Sequence, residues 1–200
     1  MALVPGNATR LNSITLARRL VDAGYSVLSC DFGGSHTWGN DTAMSRITDA
    51  VTWAGTLGYR TDKVGLWGYS MGHLNLYNWA HRNATKVACL IGYIPASDGQ
   101  DAYDNAGVAV EMDAAYAGGG AANASARDPK QITNVVSGLP WRAYYSSDDT
   151  TVPAATVTGL ASSLGKATQA VNLGAGGHDD DVAANIDPGA FLAFIDAGNW

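Results

Sequence analysis

The chain predicts a three-layer α/β/α sandwich built on a mostly parallel sheet of about six strands. Three observations carry that expectation. Short apolar runs alternate with amphipathic segments over nearly the whole length. Several of these runs, Lys86 to Ile94 above all, are almost unbroken in apolarity, which suits strands covered by helices on both faces. Finally, Gly68-Tyr69-Ser70-Met71-Gly72 joins one such run to a helical segment, a pattern that fits a sharp strand-to-helix turn.

Taken in order, Ala2-Leu3-Val4 reads as a strand stopped by Pro5-Gly6, and a helix follows from about Ser13 to Asp22, with Ile14, Ala17, Leu20 and Val21 at helical spacing and Gly24 past its end. Tyr25 to Cys30 is rich in strand formers and runs into the loop Asp31-Phe32-Gly33-Gly34-Ser35. Asn40 or Asp41 caps the clearest amphipathic helix, whose apolar face is Met44, Ile47, Ala50, Val51, Ala54 and Leu57. Lys63 to Trp67 is the strand before the turn at Ser70, and the helix after the turn extends to about His81. After the apolar run at 86–94 the pattern breaks. Residues 96–130 read as a cap-like or lid insertion with some helix of its own. Regular alternation resumes with a strand at Leu139 to Tyr145, a helix at Pro153 to Leu164, a strand at Gln169 to Leu173 and a last helix opened by Asp187-Pro188.

Length and composition fit one domain over 1–200. Hydrophobic residues make up 46% and charged residues 15% of the 200, enough apolar content for a packed core. A net charge of −6 and the lack of a basic stripe exclude nucleic acid as a partner. No run has transmembrane length and no signal-peptide pattern is visible; location stays open, cytoplasmic or virion-associated if the chain is complete. Cys30 and Cys89 sit in apolar runs and read as buried thiols. The four sequons, at Asn7, Asn40, Asn83 and Asn123, reflect composition more than glycosylation.

A serine hydroxyl needs a base, and the base needs an orienting acid. If Ser70 is the nucleophile, both partners must come from loops at the same sheet edge. Of the four histidines, His81 falls at the far end of the helix after Ser70, His73 lies in its first turn, and His36 stands in a glycine-rich loop as a candidate substrate contact. His178 follows a predicted strand through Gly174-Ala175-Gly176-Gly177 and is the candidate base. Asp148 and Asp149 both follow the strand between Ser70 and His178, and either is placed to serve as the acid, the other as a helix-start charge.

These motifs together resemble the α/β-hydrolases, over nearly the whole chain. Gly68 to Gly72 matches the family's nucleophile elbow, Asp149-Thr150-Thr151-Val152-Pro153 its D-x-x-V-P acid loop, and Gly176-Gly177-His178 its G-G-H loop, in the order Ser, Asp, His. The resemblance selects Asp149 over Asp148. It implies a cofactor-free serine esterase or lipase with Ser70, Asp149 and His178 as the triad and no metal. The Met71 N–H would be one oxyanion donor and Asn7 the other, although Pro5-Gly6-Asn7-Ala8 departs from the family's H-G-G loop. It further implies strand neighbours in the order 2-1-3-4-5-6 and a small-molecule or lipid ester as substrate; Trp38 and Tyr69, with His36, are candidate substrate contacts by their position in or near segments at the strand ends. Amidase, thioesterase and acyltransferase chemistry share the triad. A binding or structural module without turnover, such as a phage virion component, shares the fold.

Overall fold

The computed structural model describes residues 2–5 and 11–200, with side chains from residue 14 onward. The strands are β1 (Ala2–Pro5), β2 (Val27–Cys30), β3 (Val64–Tyr69), β4 (Val87–Tyr93), β5 (Trp141–Tyr145) and β6 (Ala170–Asn172). All neighbours pair in parallel, in the expected order β2-β1-β3-β4-β5-β6. Between them run α1 (Leu11–Asp22), α2 (Asp41–Thr56), α3 (Met71–Arg82), α4 (Gly99–Asn105), α5 (Ala109–Ala115), α6 (Gly120–Ala126), α7 (Thr133–Val136), α8 (Ala154–Ser163) and α9 (Pro188–Asp196).

The central strands β3 and β4 are buried on both faces, as their apolar runs require. One core joins Met44, Ile47 and Val51 of α2, Leu76, Tyr77 and Trp79 of α3, and Val157 and Leu160 of α8 to Leu66, Leu90 and Trp141. The opposite core joins Leu16 and Leu20 of α1 and Phe191 and Ile195 of α9 to Trp67, Cys89, Ile91 and Tyr144. In β4 the register slips opposite Val64 and Gly65, which skips Ala88 and rephases the strand. Val87 therefore faces the same core as Leu90, while Cys89 and Ile91 face the other. An unbroken apolar run tolerates such a bulge because either face suits every residue in it. Cys30 and Cys89 are both buried on non-adjacent strands, and burial pushes the Cys89 thiol up to about 12.

Helix ends follow the chemistry read from the sequence. Asn40 caps α2 by accepting from the Ala43 N–H at 3.0 Å, worth about 1 kcal/mol. Asp187 caps α9 by accepting from the Ala190 N–H, with Pro188 in the first turn. The second strand is shorter than expected because Tyr25 has another use. Its hydroxyl donates to Asp196 and its ring lies 5.3 Å from Trp200, so the strand begins at Val27. A cleft of about 370 Å³, lined by Val21, Tyr25, Leu28, Trp53, Leu57 and Tyr59, lies toward the amino end of the edge strand β2, remote from the loops that follow the strands.

Residues 96–130 form a cap of short helices, in which Ala96, Ala102, Met112 and Ala124 pack on Trp38 and Leu74 of the body. Polar contacts fasten it. Tyr116 donates to the Trp38 carbonyl, Arg127 reaches the Gly39 carbonyl and the Asp41 carboxylate, and Asn40 donates to the Ala115 carbonyl, while Lys130 pairs with Asp98 within the cap and joins its two ends. Asp128 is buried beneath this joint, and burial raises its carboxyl to about 6.

Candidate active site

The chain reverses at Ser70, between β3 and α3, with φ +46°. That region is costly for a residue with a side chain, on the order of 1–3 kcal/mol, and persists only where surrounding contacts fix it. Here the Ser70 N–H donates to the Tyr93 carbonyl at 3.1 Å, and the Ser70 carbonyl accepts from His73 at 3.0 Å and Ala96 at 3.1 Å. The turn also needs Gly68. A Cβ on that residue would stand 2.5 Å from His73 Cα and 2.8 Å from the Gly72 carbonyl carbon. Met71 opens α3, so its N–H is among the first-turn amides with no intrahelical acceptor.

Loops after β3, β5 and β6 bring three side chains together. His178 Nε2 lies 2.8 Å from Ser70 Oγ, and His178 Nδ1 lies 2.7 Å from Asp149 Oδ2. Asp149 is nearly closed from solvent, its side chain 1% exposed, whereas the imidazole keeps 19%. The other carboxylate oxygen, Oδ1, accepts the Thr151 and Val152 N–H groups at 2.8 Å each, so both oxygens are committed. With Nδ1–H donated to Asp149, Nε2 carries the lone pair that faces the serine hydroxyl. A hydroxyl, a base and a buried carboxylate in line can transfer a proton away from the hydroxyl as it attacks a carbonyl.

The histidine loop is held along its backbone. Tyr69 donates its hydroxyl to the His178 carbonyl at 3.2 Å, and its ring lies 5.6 Å from the imidazole. Tyr93 donates to the Asp179 and Asp180 carbonyls at 2.9 and 3.0 Å. Asp148 is exposed and turned toward Gly176 and Gly177.

Residues read as substrate contacts are placed differently from one another. Tyr69 is half-buried beside His178. Trp38 is buried in the cap core with φ +47°, and His36 pairs at 2.7 Å with Glu111 of the cap on the surface. Asn7, the expected second oxyanion donor, lies outside the described residues. His73 lies in the first turn of α3, where the sequence placed it. It is fully buried behind the turn, where Nε2 accepts from Trp141 Nε1 at 3.3 Å and Nδ1 faces the Ala96 carbonyl at 3.5 Å. Only tertiary structure brings Trp141 and Ala96 to it, and no local pattern signals that.

Burial pushes His73 down to about 4 from an ordinary 6.5, the Ala96 carbonyl opposing weakly. A folded-state value below the unfolded one means that stability from this group is full above pH 6.5 and is lost as pH falls toward 4. The range corresponds to about 3 kcal/mol at most. Thermal denaturation should therefore show the melting temperature falling between pH 7 and 4.5 in the native protein, and falling much less in His73→Gln. An equal fall in both would mean that the buried imidazole is not the source.

Comparison with known proteins finds likeness in structure only. No protein-family model matches the chain. No curated protein matches it either. Among solved structures, Est1E from Butyrivibrio proteoclasticus superposes with a TM-score of 0.75 at 17% identity, covering 98% of this chain and 88% of that one. The monoacylglycerol lipase of Paleococcus ferrophilus gives 0.70 at 14%, covering 98% and 93%. Esterase B from Lactobacillus rhamnosis gives 0.71 at 16%, covering 98% and 75%. With the strand order and the turn at Ser70, these similarities establish that the chain has the α/β-hydrolase fold.

Proposed function

We propose that the protein hydrolyses carboxylic esters through an acyl-enzyme on Ser70. The observation that carries this reading is the single imidazole bridging Ser70 Oγ and the buried Asp149, at 2.8 and 2.7 Å. Ser70 Oγ attacks the ester carbonyl while His178 Nε2 takes its proton, and Asp149 holds the ring in the needed tautomer and balances the imidazolium. The carbonyl oxygen becomes an oxyanion, received by the Met71 N–H. His178 passes the proton to the departing alcohol. Water then attacks the acyl carbonyl as His178 takes its proton, and His178 returns that proton to Ser70 Oγ as the acid departs, so the cycle needs no metal or cofactor.

Named esterases and a lipase among the structural neighbours support an ester over an amide or thioester, and one neighbour has been solved with ferulic acid bound. The test is covalent. A fluorophosphonate should label the native protein at one site, and mass mapping should place the adduct on Ser70. A native chain that stays unlabelled, or labels elsewhere, would remove the basis for the assignment. Hydrolysis of a panel of p-nitrophenyl esters, amides and thioesters then ranks the acyl and leaving groups.

A further inference from the structure

Two aspartates stand side by side in the acid loop, and the assignment above uses one. Asp148 Oδ1 accepts three hydrogen bonds, from the Ser146 hydroxyl at 2.7 Å and from the Gly176 and Gly177 N–H groups at 2.8 Å each. Those amides belong to the two residues immediately before His178. Both glycines hold positive φ, +159° and +62°, and a Cβ on Gly176 would stand 2.4 Å from a Val182 methyl, so the turn requires residues with maximal backbone freedom. Left to itself, such a pair is the softest link in the loop that carries the base.

We propose that Asp148 is a positioning residue for His178: it fixes the Gly176-Gly177 backbone and thereby the height and direction of the imidazole over Ser70. This role rests on the Ser70–His178–Asp149 reading. The acid loop thus grips the histidine loop twice, Asp149 at the ring and Asp148 at the backbone preceding it. A further bond, from the Ser147 N–H to the Gly174 carbonyl at 2.9 Å, closes the seam between the two loops. The three donors also hold the Asp148 carboxyl down at about 2, Gly177 contributing most, so the acceptor keeps its charge at neutral pH.

Position, not charge, is what the reaction needs from Asp148. Asparagine keeps an acceptor oxygen in the same place and alanine does not. With p-nitrophenyl acetate, Asp148→Ala should lower kcat about 10- to 100-fold, with KM changed far less, the scale expected when a reacting group is displaced by about an ångström. Asp148→Asn should recover most of that loss. The rate of fluorophosphonate labelling should follow the same order, and amide exchange at Gly176 and Gly177 should quicken in the alanine variant at temperatures where its far-UV circular dichroism stays native. An alanine variant within twofold of native kcat, or alanine and asparagine variants equally impaired, would overturn the positioning role while the Ser70 assignment stands. A native chain that neither labels nor hydrolyses ends both.

Discussion

Asp149→Asn is expected to lower kcat on the order of 10⁴-fold with little change in KM. The reason lies in how the carboxylate is spent. Its Oδ1 accepts two backbone N–H groups, so an asparagine would seat its oxygen there and turn its amide toward His178. The imidazole would then have to accept at Nδ1 and carry its proton on Nε2, facing Ser70 with a donor in place of a lone pair. The fold loses nothing, because the backbone pair stays satisfied. Steady-state kinetics alongside Asp148→Asn separates the neighbours: the loss belongs to Asp149, and a comparable loss at Asp148 alone would reverse the assignment of the acid.

Gly68→Ala should cost roughly 3 kcal/mol of stability, large for one methyl group. The new carbon would lie 2.5 Å from His73 Cα and 2.6 Å from its nitrogen, both main chain in the first turn of α3, and main chain there cannot step aside without moving Ser70. Gly138→Ala is the matched control. Its nearest neighbour would be the Val135 carbonyl oxygen at 3.6 Å, an ordinary contact, and the effect should stay within about 0.5 kcal/mol. Urea midpoints of the two variants measure the difference. Equal midpoints would mean that the turn relaxes more freely than the contacts allow.

The fold was legible in the sequence because its signals are local. Apolar runs, an Asn cap at α2, Asp-Pro at α9 and a glycine-flanked serine each act within a few residues, and together they require parallel strands joined by helices. The placing of Ser70, Asp149 and His178 after strands was legible for the same reason. What depends on distant partners was not. Trp38 is an aromatic in a loop, which reads equally as a substrate contact or a core residue, and its burial is decided by helices that begin some sixty positions later. The choice between Asp148 and Asp149 needed a family resemblance, since composition treats adjacent aspartates alike and only the loop's path sends one to the ring and the other to the glycines. His73 shows the same limit, because its partners arrive from elsewhere in the chain, Trp141 from β5 and Ala96 from the loop after β4.

The order of the sheet has a kinetic consequence. Ser70 follows β3, Asp149 follows β5 and His178 follows β6, so the bond from His178 to Ser70 closes a span of 108 residues. Closure of that kind waits on every intervening element, because its loop entropy is recovered only once β4 and β5 have docked and β6 has been added at the sheet edge. Reactivity at Ser70 is accordingly a clock for the end of folding: during refolding it should start only when the last strand is in place.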